Sequence, residues 1–192
     1  DQNTQGERAE EIMRPRRRPD MSLRFVRAGQ QACRHHRGRH RKRPGVSFTA
    51  SIVGGSGYTG GELLRLLLGH PEAEIGQVSS RKLAGQPVHA VHPNLRGHVG
   101  RDFCTPDQID PCDVLFLCMP HGRSAAEIDR WRAVAPLVID LSADFRLHDP
   151  ALYESWYGAP HAAPAALADA VYGLPEISRE RLPGATLVSG VG

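Results

Sequence analysis

Long apolar runs are missing from this 192-residue chain: none approaches the roughly 18 residues that a membrane-spanning helix needs, so no membrane role is expected. Cysteine is scarce. The four present, Cys33, Cys104, Cys112 and Cys118, show no C-x-x-C pair and no metal-ligand spacing. That excludes a zinc ribbon and a disulfide framework, and it leaves reduced thiols in a cytoplasmic protein as the expectation. Aromatic residues are only 6% of the chain and supply no stacking motif for nucleic acid. Beyond residue 45 there is no internal repeat and no low-complexity tract.

Positive charge is concentrated at one end. Residues 1–45 hold 13 Lys and Arg against 5 Asp and Glu, whereas residues 46–192 hold 11 against 16. The net charge of +3 therefore hides a strongly basic appendage on a mildly acidic body. The appendage carries "RPRRRPD" and "CRHHRGRHRKRPG" and almost no periodic hydrophobics. Like charges at this density repel, and the segment cannot bury enough apolar surface to offset its ordering entropy. Residues 1–45 are thus expected to be a disordered basic extension, lying upstream of a native start at Met21 or later; an opening Asp1 in place of methionine fits that expectation. A nucleic-acid arm, a targeting peptide and a metal tract on His35, His36 and His40 are sharper readings of the same stretch. The acidic body disfavours the first, and the lack of an amphipathic apolar face disfavours the second.

From Ser47 the pattern becomes that of a folded domain, expected over residues 46–192. "FTASIVGG" reads as a buried strand ended by glycine. "GELLRLLLGHP" reads as a helix with Leu63, Leu64, Leu67 and Leu68 on one face, stopped by Gly69 and Pro71. "AEIGQVSS" is the second strand. "CDVLFLCMP" is a continuous apolar run of the kind found in parallel strands covered on both faces, expected as the fourth strand. "RSAAEIDRWRAVA" reads as a helix with Ala126, Ile128, Trp131 and Val134 on its apolar side, and "PLVIDLSADFR" opens as another buried strand. Residues 89–101 and most of 143–177 read as loop, apart from a short helix from Asp149-Pro150 through Tyr157, and "GATLVSG" closes as one more strand. Alternating strands and helices indicate an α/β fold with a doubly wound parallel sheet.

Between the first strand and helix lies "GGSGYTGG", five glycines in eight positions. Gly55, Gly57 and Gly60 satisfy G-x-G-x-x-G, and Gly54, Gly57 and Gly60 satisfy G-x-x-G-x-x-G, in the strand–turn–helix context that a dinucleotide-binding fingerprint requires. Glycines allow a tight turn and a close approach of backbone N–H groups to a diphosphate, which sits on the positive end of the helix. The candidate cradle is Gly54, Ser56, Gly57, Tyr58, Thr59 and Gly60; the bland alternative is a plain glycine turn. At the end of the second strand, where an NAD site places an acidic residue, the chain reads Ser79, Ser80, Arg81, Lys82. Hydroxyls with a guanidinium suit a 2′-phosphate and favour NADP. A solvated basic turn is the alternative.

The blocks "IVGGSGYTGGELLRLLLGHPEAEI", "SSRKLAGQPVHAVHPNLRG", "CDVLFLCMPHGRSA", "VIDLSADFRLHDPALYESWYG" and "AVYGLPEISRE" occur in this order. Together they make residues 48–192 resemble the amino-terminal, Rossmann-like NADP-binding domain of the N-acetyl-γ-glutamyl-phosphate reductases. That family includes relatives in lysine biosynthesis that act on a substrate attached to an amino-group carrier protein. The resemblance implies a two-step reduction of an acyl phosphate: a cysteine thiolate displaces phosphate, and NADPH reduces the thioester to the semialdehyde, with a histidine of a second domain as acid/base. It also implies that Pro120, His121 and Gly122 line the cofactor site, that Ser142, Asp144 and Arg146 organise the nicotinamide or substrate side, and that Tyr172, Gly173 and Glu176 border the active site. His121 as a simple loop histidine and an internal Asp144–Arg146 ion pair remain open.

In the family the nucleophilic cysteine directly follows the strand that here ends "LVSGVG". None of the four cysteines stands in that position, so the catalytic residues within the chain are none, and the second α/β substrate domain is missing as well. "HPNLRG" and "SGVG" lean toward the carrier-protein branch, where Arg96 could meet an acidic carrier, a solvated arginine being the alternative. The partner is then a small-molecule acyl phosphate or an acidic amino-group carrier protein, and the full-length protein is expected to be a homo-oligomer. The competing readings are an aspartate-semialdehyde dehydrogenase, disfavoured by "SADFR" and "VYGLPE", and a non-catalytic NADP-binding module or truncated remnant. Sequencing the transcript past the Gly192 codon separates them: the reductase reading predicts cysteine next with an open frame, and the remnant reading a stop.

Overall fold

Phe48–Val53 forms strand β1 because an uninterrupted apolar and β-branched run can be buried on both faces; its last four residues are all inside. In the computed structural model, residues 47–191 are described. The basic extension, Cys33, the histidine tract and Gly192 lie outside the described residues. Helix α1 (Tyr58–Leu68) follows, then β2 (Ala73–Ser79) and a short helix α2 (Val88–Val91). Strand β3 (Val114–Leu117) leads to helices α3 (Arg123–Ala126) and α4 (Ile128–Val134), and β4 (Leu137–Asp140) to α5 (Pro150–Tyr157). Helix α6 (Pro164–Asp169), β5 (Ala170–Tyr172), α7 (Pro175–Ser178) and β6 (Leu187–Ser189) complete the order.

The six strands form one sheet in the order β2-β1-β3-β4-β6-β5, every neighbouring pair parallel. Strand order turns back on itself beside β1: β2 lies on one side and β3 onward on the other. A doubly wound sheet opens its ligand crevice at that reversal, outside the carboxyl ends of the strands. Successive side chains face opposite ways. Val53, Leu115 and Leu117 join Trp131, Phe145 and Leu167 in one buried cluster, whereas Ile52 and Phe116 belong with Leu64, Val78 and Phe103 in a second.

The structure changes several expectations. Helix α1 begins at Tyr58, so Gly60 and Gly61 lie inside it, and Leu68 is exposed while Leu64 and Leu67 carry the buried face. The helix expected from Arg123 onward is broken at Glu127, whose φ of −119° leaves the helical range, and Ala125 rather than Ala126 is buried. "VLFL" is the third strand, not the fourth; the intervening position is held only by isolated bridges, Ser79 to Cys104 and Pro87 to Asp102. The segment 143–177 is more ordered than a loop, holding α6 and β5 besides the expected α5. That helix starts as expected, with Pro150 at its first turn and the Asp149 carboxylate accepting the Ala151 N–H at 2.8 Å. Among the described residues, no helix is long and apolar enough to cross a membrane.

Gly60 packs against the loop that precedes its helix. A Cβ there would stand 2.6 Å from the Gly55 Cα and 2.9 Å from the Gly54 carbonyl oxygen. Both are backbone atoms, which cannot swing aside. Gly60→Ala is expected to lose about 1–3 kcal/mol of unfolding free energy in a urea titration, more than helix propensity would return.

Candidate functional site: the crevice beside β1

Gly54 leaves β1 with φ of +82°, and a Cβ on it would lie 2.4 Å from the Cys118 carbonyl oxygen. Only glycine fits so close to the end of β3. The Gly54 and Gly55 N–H groups both donate to the Ser79 carbonyl, at 3.1 and 2.9 Å, which ties the loop to β2. From the other side His92 donates through Nε2 to the Gly55 carbonyl at 2.8 Å, and its ring fills the space that a Cβ on Gly61 would need. Helix α1 opens on Gly57 with no side-chain cap, and its first intrahelical bond runs from the Gly61 N–H to the Gly57 carbonyl. Tyr58 is fully exposed, Thr59 exposed and Ser56 half-buried. Uncapped N–H groups at the positive end of an eleven-residue helix, beside a glycine cradle that any Cβ would fill, fit a diphosphate.

At the β2 end, Ser56 Oγ and Ser80 Oγ are hydrogen-bonded at 2.9 Å, and Ser80 Oγ accepts the Leu83 N–H at 3.3 Å. Ser79, expected to offer a hydroxyl to the cofactor, is instead wholly buried, and its Oγ has no hydrogen-bond partner. Its part is played by its carbonyl, because a strand's inward residue turns its side chain into the core. Arg81 reaches across to an ion pair with Glu127. Beside Arg81 opens a cavity of about 170 Å³ lined by Gly54, Arg81, Pro106, Cys118, Pro120 and Arg123.

On the far side the organising group is the Asp144 carboxylate, 0% exposed. It accepts the Gly122 N–H at 2.6 Å, the Ala125 N–H at 2.9 Å and the His121 Nδ1 proton at 2.8 Å. That bond leaves the His121 Nε2 as acceptor toward the Tyr153 hydroxyl, 3.3 Å away, while the ring stacks on Tyr157 at 4.4 Å between centroids. His121 is thus a satisfied loop histidine, its tautomer fixed by an acid and its plane by two tyrosines. His161 accepts the Ala163 N–H at Nδ1 and so donates from Nε2 to the Asp144 carbonyl at 2.9 Å. Arg146 goes elsewhere. Its guanidinium donates to the Gly190 and Leu141 carbonyls at 3.1 and 3.4 Å, and no Asp144–Arg146 ion pair forms. The ion-pair alternative is thereby corrected: Asp144 is filled by loop N–H groups and His121, and Arg146 instead stitches the β4 end to the β6 end. Tyr172 ends β5 opposite Ser189, and Glu176 is exposed in the first turn of α7, both two or more strands from β1.

Residues that sequence reasoning missed include His92, Glu127, Tyr153 and Asp140. The i,i+4 spacing of Tyr153 and Tyr157 and the single carboxylate ending an apolar strand were the available signals for two of them. Asp140 is buried at the end of β4, and the Ser142 hydroxyl and N–H donate to it at 2.6 and 3.2 Å. Burial raises its pKa from the ordinary carboxylate value, with bonds from Ser124 and Ser142 opposing and the Asp144 charge adding to the rise. Beside it, burial and the Asp140 charge push the Cys118 thiol to about 12, so this crevice cysteine is no thiolate at neutral pH. Cys112 is likewise raised by burial, and Cys104 is inside. Among the described residues no group of three or more His, Cys, Asp or Glu could hold a metal ion.

The raised Asp140 value fixes a sign. Between the unfolded and folded pKa the folded state holds more protons, so stability falls as pH rises through that window. Asp140→Asn keeps an acceptor and adds a donor, and is expected to lack this fall. Urea unfolding of both proteins from pH 4 upward checks it; parallel pH profiles would contradict the assignment.

Comparison with known proteins matches this geometry. The family model for the semialdehyde dehydrogenase NAD-binding domain covers residues 49–185. A Thermomicrobium roseum protein provisionally named LysW-L-2-aminoadipate 6-phosphate reductase is 56% identical over 75% of this chain and 41% of its own length. The N-acetyl-gamma-glutamyl-phosphate reductase of Pseudomonas savastanoi is 53% identical over 73% of this chain and 42% of its own. The LysW-L-2-aminoadipate 6-phosphate reductase of Deinococcus radiodurans is 49% identical over 75% and 41%. The chain thus spans about two-fifths of the length of these curated relatives. Aspartate semialdehyde dehydrogenase II of Vibrio cholerae, complexed with ASA, shares the fold at a TM-score of 0.51 and 15% identity over 76% of this chain and 42% of its own. With a glycine cradle, an uncapped helix and a switch-point crevice in one place, the chain belongs to the semialdehyde dehydrogenase family, as its Rossmann-like domain for binding a nicotinamide adenine dinucleotide.

Proposed function

We propose that this chain is the cofactor-holding part of an NADP-dependent reductase that converts an acyl phosphate to a semialdehyde in arginine or lysine biosynthesis. The observation that carries the reading is its 49–56% identity, over 144 residues, to reductases of both kinds. When bound, the cofactor supplies hydride. The chain's own residues hold it: α1 faces its diphosphate, Ser80 and Arg81 meet the 2′-phosphate, and Pro120, His121 and Gly122 border it along β3. Ser142 and Arg146 brace the nicotinamide side through Asp140 and the Gly190 carbonyl.

The nucleophilic cysteine lies outside residues 1–192 on this reading. Cys118 is the one thiol lining the crevice among the described residues, and its pKa of about 12 unfits it for attack. The chain alone therefore binds NADPH without turning substrate over. The acyl phosphate is either a small N-acylated glutamyl phosphate or one carried by an acidic amino-group carrier protein. Arg96, exposed just after the Pro93–Leu95 turn, is a candidate contact for such a carrier. The whole protein is a cytoplasmic homo-oligomer, and the binding domain runs from residue 46. A non-catalytic NADP-binding module is the second reading, favoured by the thiol chemistry within the chain.

Fluorescence titration of the chain with NADPH and NADH tests the proposal. Tighter binding of NADPH is expected, with Arg81→Ala removing about tenfold of that preference, the scale of one charge-assisted hydrogen bond. Failure to bind either dinucleotide would refute the cofactor reading. Acyl-phosphate reduction by the chain alone would refute the placement of the nucleophile.

A further inference from the structure

Arg81 is not free to meet a ligand: it is already paired with Glu127. The two partners differ in mobility. Arg81 is 53% exposed on a long side chain at the turn after β2, whereas Glu127 is 20% exposed at the break between α3 and α4. The Glu127 N–H donates to the Ser124 carbonyl at 3.3 Å, and its own carbonyl accepts the Trp131 N–H at 3.2 Å. Its second carboxylate oxygen faces Arg130 at 3.6 Å. Arg130 in turn is fastened to the Pro106 carbonyl at 2.9 Å and to Asp107 at 2.7 Å, and it lies 4.4 Å over the ring of the fully buried Trp131. The carboxylate is the fixed half of the pair and the guanidinium the movable half.

We infer that Glu127 is a specificity-setting residue: it competes with a dinucleotide's 2′-phosphate for Arg81 and so limits how strongly the site prefers NADP over NAD. The inference rests on the reading of Arg81 given above. A 2′-phosphate carries more charge and more acceptor oxygens than a carboxylate and takes the guanidinium. Glu127 cannot follow, so binding of the phosphate forfeits the Arg81–Glu127 ion pair. An unphosphorylated ribose asks nothing of Arg81, which stays with Glu127, and the pair is kept. The carboxylate therefore weakens NADP selectively, and its neutral isostere restores that affinity.

Isothermal titration of the whole chain with NADP and with NAD decides this, using wild type, Glu127→Gln, Arg81→Ala and the double variant. Glu127→Gln is expected to tighten NADP about two- to fivefold, the worth of one partly exposed ion pair, and to leave NAD within about twofold. The gain should vanish in the Arg81→Ala background, because it acts through that side chain. Glu127→Ser, which removes the carboxylate without adding bulk, gives the same ordering should the glutamine variant fail to fold. Weaker NADP binding, an equal change for both nucleotides, or a gain that persists without Arg81 overturns the inference. If Arg81→Ala leaves the wild-type NADP-to-NAD ratio unchanged, the 2′-phosphate reading falls and takes the inference with it. If Arg81→Ala collapses that ratio while Glu127→Gln does nothing, only the inference falls.

Discussion

Backbone meets backbone at the end of β1, and the crevice follows from that contact. Gly54 lies against the Cys118 carbonyl, Gly60 against the Gly55 Cα, and the paired N–H groups of Gly54 and Gly55 share the Ser79 carbonyl. Three strand ends and a helix start are brought within one van der Waals layer of each other. No side chain could mediate this, because any Cβ would occupy the space. The glycine cradle is thus a consequence of close packing between β1, β2, β3 and α1, and missing Cβ atoms are what permit it.

Electrostatics then divides the crevice in two. The end beside β2 is cationic and exposed, with Arg81 and Arg123 lining it and Glu127 as the Arg81 counter-ion. The other end holds two buried carboxylates that solve the same problem differently. Asp144 accepts two backbone N–H groups and His121, whereas burial drives Asp140 toward its neutral form against its serine hydrogen bonds. Burial first, and the Asp140 charge second, raise the Cys118 thiol, so it does not become a competing nucleophile.

Where one principle dominates, the sequence was readable. The glycine turn, β1, α1, the buried "VLFL" run and the capped start of α5 all rest on local rules: apolar continuity, glycine conformations and an Asp-Pro start. The errors came where tertiary packing decides. Leu68 fits the periodic face, yet it stays partly open to solvent while Leu64 and Leu67 are buried. β5 is only three residues long and is a strand because β6 pairs with it, which no local pattern announces. The site behaves likewise. Arg81 was legible from the strand end, but Glu127 meets it across 46 residues. The Asp144–His121 bond spans two strand ends, whereas sequence proximity suggested Arg146. Pairings across a sheet are set by strand order, and strand order is what a single sequence conceals most effectively.

The strand order also has a history. In the finished sheet β6 sits between β4 and β5, although β5 is synthesised first. During translation β1 to β4 can zip together as they emerge, each beside a neighbour already made. β5 leaves the ribosome with no place on the sheet, because among the described strands its partner is the one that follows it. The growing chain therefore carries an unpaired edge at β4 until Leu187–Ser189 arrives, and that one short strand closes the sheet on both of its sides at once. A pause in translation before residue 187 would hold open an adhesive edge that the completed domain never shows.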